Sequence, residues 1–345
     1  MGFRTLVVPL IAGAALLSAC GGDGDDAASD TTEGGAAEAG ADRLTVGYSP
    51  WPGWFPLAVA QEAGIFEEVG LDVELRYFAD YLSSLDAMAA GELDVNAQTL
   101  NDTIAAVAAG SDQVVVVIGD NSTGNDQIIC DESIRSIADL EGRTIGAEAG
   151  VVDHFLLLQG METEGLTEDD IDFRPILTAD AAAAFAAGEF DCVGVYAPFT
   201  LQAMEREGAH VLFDSADFPG TIPDLFVATR EVVDGSPEAV AKFVEGWYRT
   251  LDHIEANPEE SLAIMAELAE LSVEEYESFA AGTTIFTAEE SLAAFADGDD
   301  TTSILHTARL LNPFLVEAGL TEREADLDGM FEPSFTAAYV ESLGG

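Results

Sequence analysis

The 345 residues carry 65 acidic against 12 basic side chains, a formal net charge of −53, with 48% hydrophobic residues and a mean hydropathy of +0.18. A folded surface this acidic repels nucleic acid and anionic membrane faces, which excludes both as partners. The apolar content is too high for general disorder, which pairs high charge with low hydrophobicity, and it suffices for one large or two medium cores.

The chain starts MGFRTLVVPLIAGAALLSAC, where Arg4 precedes an apolar run over residues 6–17 that is too short to span a bilayer. The run ends in Leu17-Ser18-Ala19-Cys20, which resembles the lipobox of bacterial lipoproteins, where cleavage precedes a cysteine that becomes lipid-modified. The expectation is a signal peptide over 1–19 and a lipid on Cys20. A glycine- and acid-rich linker follows over 20–42, and as a flexible coil it would span roughly 25 Å. Such a protein is exported and lipid-anchored to the cell membrane on its extracytoplasmic face; an uncleaved signal anchor is the alternative.

From residue 43 strand and helix patterns alternate. Residues 44–48 read as a strand and 56–63 as a helix closed by Gly64; Val73, Leu75 and Tyr77 alternate as a strand does. Ser83 or Ser84 is placed to cap a helix stopped by Gly91, residues 95–98 form the next strand, and Asn101 or Asp102 caps a helix ending at Gly110. Residues 114–118, VVVVI, form a continuous β-branched run, the pattern of a parallel strand buried on both faces. After a polar break at 120–127 the alternation restarts, with strands over 127–130, 144–148, 173–177, 192–196 and 211–213 and helices over 153–161, 179–187 and 199–207. A second polar break, 215–224, leads to one more strand, LFVAT, and from Ser236 the pattern is nearly all helical. Two α/β units separated by two polar crossovers predict two lobes: 43–120 with 225–345, and 121–224.

With Cys20 assigned to lipid, Cys130 and Cys192 remain as an even pair in an oxidising compartment. Both sit in apolar runs, QIIC and CVGVY, where a cysteine commonly acts as a small buried apolar residue. Two free buried thiols are therefore expected, with a disulfide as the alternative. No CxxC or Cys/His spacing points to a metal, and neither a metal nor a cofactor is expected.

In open α/β sheets ligands bind beyond the carboxyl ends of the strands. Those positions hold SPWPGW, FADYLSS, QTLND, DNSTGND, EAGVVDH and YAPFT, which are rich in aromatics, amides and carboxylates and contain no Lys or Arg. The order GYSPWPGWFPLAVAQEAGIFEEVGLDVEL, AAGELDVNAQTLND, EAGVVDHFLLLQG and FDCVGVYAPF resembles the substrate-binding proteins of nitrate/sulfonate/taurine-type ABC importers. That family also includes thiamine-precursor binders, and the resemblance covers about residues 43–335. It implies an α/β type 2 periplasmic-binding-protein fold: two lobes, a two-strand hinge and a ligand cleft between them, feeding an ABC permease. Two segments differ from the family's sulfonate binders. The segment after EAG reads Gly150-Val151-Val152-Asp153-His154, without their small hydroxyl residues, and a strand end that often reads Trp-Glu-Pro-Phe reads Tyr196-Ala197-Pro198-Phe199.

The expected ligand-binding residues are Trp51, Trp54, Tyr81, Gln98, Asn101, Asp102, Asn125, Asp126, Glu148, Asp153, His154 and Tyr196. Eight of them have a structural alternative: core for the tryptophans, helix capping for Asn101, Asp102, Asp153 and His154, and hinge turns for Asn125 and Asp126. Carboxylates at Asp80, Asp102, Asp120, Asp126, Glu148 and Asp153 favour a small cationic or neutral nitrogen-rich solute such as a guanidine, urea or amine. A sulfonate, taurine or nitrate binder is the alternative within the family. A thiamine-precursor-related enzyme is the alternative from another class; against it, the sequence lacks a G-x-S-x-G elbow, an H-E-x-x-H pair and a Walker loop. A monomer that binds its solute without chemistry is expected. Replacing Cys20 by Ser should release the protein from the membrane fraction or leave its precursor unprocessed. A Cys20→Ser protein that is still labelled by radioactive fatty acid and membrane-bound would contradict the lipid assignment.

Overall fold

The computed structural model describes residues 42–344. The expected signal peptide (1–19), Cys20 and the linker up to residue 41 lie outside them. Eleven strands among the described residues form two sheets: β1 (Asp42–Tyr48), β2 (Leu71–Tyr77), β3 (Val95–Thr99), β4 (Gln113–Ser122), β5 (Asp126–Cys130), β6 (Thr144–Ala147), β7 (Asp172–Pro175), β8 (Cys192–Tyr196), β9 (His210–Asp214), β10 (Pro223–Thr229) and β11 (Thr283–Ile285). The first sheet has the order β11-β4-β10-β3-β1-β2 and the second β7-β6-β8-β5-β9. Helices cover both, the longest being Pro237–Ala256, whose Trp247 packs edge-on against Phe226 of β10 at 4.5 Å.

The chain passes between the sheets twice. β4 runs straight into β5 through residues 123–125, and β9 returns to β10 through 215–222. Because β4 and β10 are antiparallel neighbours, both passages leave the first sheet side by side. The first polar break is thus shorter than the sequence suggested: residues 120–122 still belong to β4 and Asp126 already belongs to β5. The VVVVI run is buried throughout as expected, but the strand it pairs with, β10, is antiparallel, and its parallel contact is only the isolated bridge of Val115 to Phe331. A strand covered on both faces needs the same apolar run whichever way its neighbours point.

Other local expectations are corrected by the first turns. The helix Tyr81–Ala89 is capped by Asp80, whose carboxylate accepts from Ser83 N at 2.8 Å, rather than by Ser83 or Ser84. The helix Leu100–Ala109 starts after Thr99, so Asn101 and Asp102 lie inside its first turn and do not cap it. The expected helix over 199–207 contracts to Thr200–Ala203, and β11 interrupts the C-terminal helices.

Cys130 and Cys192 are joined by a disulfide, which overturns the free-thiol expectation. The cause is register: β5 and β8 pair antiparallel with the two cysteines directly opposed, Cα to Cα 4.1 Å. Buried apolar surroundings were readable from the runs themselves, but that the two runs would face each other was not. The bridge closes a loop across a sequence separation of 62. Loop-closure entropy for such a length corresponds to about 4 kcal/mol of stability. The double variant Cys130→Ser/Cys192→Ser should lose stability of that order in a denaturant titration, and reductant should destabilise the parent similarly. Quantitative alkylation of both thiols in the unreduced, unfolded protein would contradict the bridge.

Candidate functional site

The stretch Pro50-Trp51-Pro52-Gly53-Trp54 leaves β1 at its carboxyl end and turns into the helix Pro56–Glu62, with Pro56 at its first position. Prolines deny this loop strand hydrogen bonds, so its tryptophans project from irregular backbone. Gly53 has a definite reason: a Cβ there would sit 2.1 Å from Asp120 Oδ2, so only glycine lets the loop lie on that carboxyl. Trp51 Nε1 donates to Asp120 Oδ1 at 3.0 Å. The two tryptophans are therefore core and wall at once, buried yet lining a pocket.

That pocket has a cavity volume of only about 10 Å³ and is lined by Pro50, Trp51, Trp54, Tyr81, Thr99 and Asp224 from the side of the first sheet and by Asp126, Val152 and Tyr196 from the side of the second. Four rings form its walls: Trp51 and Trp54 lie 6.3 Å apart, Trp51 and Tyr196 6.4 Å, and Trp54 and Tyr81 5.6 Å, all tilted or edge-on. Its volume is far below the usual range for drug-sized ligands, about 300–1,000 Å³, and is about that needed for one water, so a solute enters only as the lining parts. A larger cavity of about 380 Å³ lies behind the loop, between Pro52 and the helices at 251–265 and 276–280, but its lining is mostly apolar.

Around the small pocket six carboxyls are enclosed: Asp102, Asp120, Asp126, Glu148, Asp153 and Asp224, none more than 4% exposed. Among the described residues no Lys or Arg pairs with any of them; the ten ion pairs lie elsewhere. Burial is the first cause of a raised pKa at each. It lifts Asp102, Asp120 and Asp126 to about 7, raises Glu148, and holds Asp153 and Asp224 well above the usual carboxylate range. Mutual repulsion adds to burial: Asp153 feels Glu148 and Asp126, and Asp224 feels Asp120 and Asp126.

The six divide by their partners. Asp102 is satisfied, accepting from Tyr81 Oη at 2.9 Å, Thr99 Oγ1 at 2.7 Å and Asn101 Nδ2 at 2.9 Å, and so it positions Tyr81. Asp120 and Asp224 are directly opposed across β4 and β10, and burial together with repulsion from Asp120 raises the Asp224 carboxyl, which favours its protonated form. Glu148 and Asp153 converge on one hydroxyl, with Thr178 Oγ1 2.9 Å and 2.7 Å from their oxygens. A hydroxyl has one proton to give, so one of these two carboxyls must itself carry a proton. Oδ2 of Asp120, Oδ2 of Asp126, Oδ2 of Asp224, Oε1 of Glu148 and Oδ1 of Asp153 have no hydrogen-bond partner, nor does Trp54 Nε1. No three His, Cys, Asp or Glu side chains among the described residues are arranged to hold a metal ion.

Of the residues expected from sequence, Trp51, Trp54, Tyr81, Asp126 and Tyr196 line the pocket, and Asp102, Glu148 and Asp153 lie in the surrounding carboxyl cluster. The others are engaged elsewhere. Gln98 donates to Thr103 Oγ1 and Gln113 Oε1, and Asn101 donates to Asp102. Asn125 is tied to Phe279 O and Thr283 Oγ1, at 2.9 and 2.7 Å. His154 stacks on Phe173 at 4.1 Å, accepts from Gly150 N at Nδ1 and lies 2.7 Å from Glu168 at Nε2, with burial lowering its pKa. Asp80 is the helix cap described above. Asp224, Thr99 and Thr178 were missed. Asp224 stood within a polar break, and Thr178 opens a helix far along the chain, so neither had a local signal.

A family model described as NMT1/THI5 like matches residues 51–261. The chain belongs to the NMT1/THI5-like family. Within that family it is 30% identical to a Brucella abortus protein named as a candidate binding protein, over 70% of this chain and 76% of the other. It is 27% identical to an Escherichia coli protein named as a candidate aliphatic-sulfonates-binding protein, over 67% and 73%. Among solved structures it is similar to the alkanesulfonate-binding protein SsuA of Xanthomonas axonopodis pv. citri bound to MOPS, with a TM-score of 0.71, 20% identity and coverage of 86% and 100%. It is similar also to the desulfurization enzyme DszB, with a TM-score of 0.59, 17% identity and coverage of 88% and 99%. The fold of this NMT1/THI5-like chain is the two-lobed type 2 periplasmic-binding fold.

The carboxyl cluster makes stability pH-dependent with a definite sign. A carboxyl whose folded pKa lies above its unfolded value keeps its proton in the native state after the unfolded chain has lost it. Native-state stability therefore falls as pH rises from the unfolded value near 3.8 to the folded value of about 7. The slope is up to about 1.4 kcal/mol per pH unit for each group. Thermal melts of the protein without added ligand should show a midpoint that drops between mildly acid and mildly alkaline pH, and Asp224→Asn should flatten the drop. A midpoint that climbs steadily over this range would contradict the protonated cluster.

Proposed function

We propose that this protein is the extracytoplasmic solute-binding component of an ABC importer. It captures a small cationic or neutral nitrogen-rich solute, such as a guanidine, urea or amine, in the pocket between its lobes and delivers it to the permease. The observation that carries the ligand class is the ring of four aromatic side chains closed over Asp126 and Asp224, each with an unpartnered carboxyl oxygen and no basic residue paired to it. Stacking or edge contact of a cation on such rings contributes about 0.5–2 kcal/mol. A hydrogen bond to an ionised carboxylate contributes about 1.5–3 kcal/mol. An anion would meet like charge, against which a helix N-terminus supplies only about 0.3–1 kcal/mol.

The transport role is supported by the family and by relatives named as binding proteins. We divide the lobes at the two passages between the sheets, 123–125 and 215–222, which moves 121–122 and 223–224 from the second lobe of the sequence reading (43–120 with 225–345, and 121–224) to the first, and closure would bend those short connections. Twelve residues were expected at the site from sequence; we assign direct contact to Trp51, Trp54, Tyr81, Asp126 and Tyr196, with Asp224 added. Export, the lipid on Cys20, a monomeric state and the absence of catalysis belong to the same proposal. The named sulfonate binders among its relatives keep a sulfonate as the second reading. Isothermal titration of the purified protein against guanidinium, urea, methylamine, taurine and nitrate is the test. Heat from at least one nitrogen compound and none from taurine or nitrate is expected, and tight binding of taurine or nitrate alone would overturn the ligand class.

A further inference from the structure

We propose that the pocket takes a planar organic cation of the guanidinium type in exchange for a proton, with Asp126 and Asp224 as its two hydrogen-bond acceptors. This deepens the solute-binding reading above and rests on it.

The choice of a cation over its neutral isostere follows from the proton inventory, which the geometry requires independently of any titration. Asp120 and Asp224, directly opposed across β4 and β10 and enclosed with no basic partner, would set two like charges together unless one carries a proton. The convergence of Glu148 and Asp153 on the single hydroxyl of Thr178 needs another. Without them, six enclosed carboxylates would face one another with no countercharge. The groups that bear on this cluster from the packed elements are themselves acidic or neutral: Asp80 before the helix Tyr81–Ala89, Asp214 at the end of β9, and the phenols Tyr81, Tyr196 and Tyr276. Protons are thus the resident positive charge of the cluster. A cation entering the pocket supplies that charge from another source, so a carboxylic proton leaves to solvent as the cation arrives.

Shape narrows the class. Asp126 enters the pocket from β5 and Asp224 from β10, so the acceptors belong to the two different sheets. Each has one oxygen free, and each is nine-tenths or more buried. Once the lining parts to admit it, a planar cation with N–H groups on separate edges can donate to both with its faces toward the rings of Trp51, Trp54, Tyr81 and Tyr196. Trp54 Nε1 is the one donor at the pocket without an acceptor. Urea, which has the size and shape of guanidinium, would satisfy it through its carbonyl oxygen. Urea is therefore the natural competitor: it offers an acceptor where guanidinium offers charge.

The pair makes a matched test. Guanidinium chloride and urea, both at low millimolar concentration and far below denaturing levels, are titrated into the purified protein by calorimetry. Two buffers of different ionisation enthalpy are used at each of about pH 6, pH 7 and pH 8. The expected result is guanidinium binding at least tenfold tighter than urea, with a heat that depends on buffer and reports proton release. Its affinity should rise with pH by up to about tenfold per unit across this range. Asp126→Asn and Asp224→Asn should each weaken guanidinium at least tenfold and leave urea within about threefold, with circular dichroism confirming that both variants are folded. Urea binding as tightly as guanidinium, or guanidinium binding with no buffer dependence, would overturn proton exchange and leave the solute-binding reading standing. Silence toward both probes would overturn the guanidinium class. Binding of taurine or nitrate in their place would overturn the nitrogen-compound reading as well.

Discussion

Enclosing carboxyl groups without a basic partner is the constraint on which the rest of this molecule turns. An ionised carboxylate removed from water and left unpaired is strongly unfavourable, and proteins ordinarily respond with an arginine, a metal or a proton. Among the described residues no basic side chain is that partner, although arginines are present. They lie in surface pairs such as Arg230 with Asp112 and Arg309 with Asp297. The six inward groups instead rely on hydroxyls, an indole N–H and shared protons. Such an arrangement is poorly stabilised by itself and favours whatever positive or hydrogen-bond-donating species can enter.

The fold places these groups by simple means. Asp120 and Asp224 come from the two strands that leave the first sheet side by side, and Asp126 begins the strand on the far side of the first passage. Glu148 follows β6, and Asp153 lies in the first turn of the helix Val152–Glu162 behind it. Polar groups at strand ends and helix starts converge because both sheets direct those ends toward the space between them. A change in the angle between the sheets is then also a change in the spacing of carboxyls, so lobe movement and cluster charge are energetically linked.

Much of this was legible in the sequence. The alternation of strand and helix runs located ten of the eleven strands, because buried β-branched runs and glycine stops are local signals. Trp51 and Trp54 stood out because a proline-broken loop has no ordinary use for large rings. What sequence could not supply was pairing. The direction of β10 beside β4, the opposition of Cys130 to Cys192 and the meeting of Asp120 with Asp224 all depend on register between segments far apart in the chain. Asn125 and His154 looked like site residues because they stand at the correct strand and helix ends. Their side chains are taken up by Phe279 O and Thr283 and by Phe173 and Glu168, which no local pattern announces.

The bridge between Cys130 and Cys192 has a bearing on how the protein should be made. β5 and β8 are pinned at one end by the disulfide and present Asp126 opposite Tyr196 at the other. Three residues of paired strand separate the covalent clamp from one wall of the pocket. Material produced in a reducing cytosol would carry that wall on strands held by hydrogen bonds alone, whereas secretion through an oxidising compartment delivers it clamped. The folded portions from the two routes would then differ in the sharpness of their binding site while differing in covalent structure by only two hydrogens.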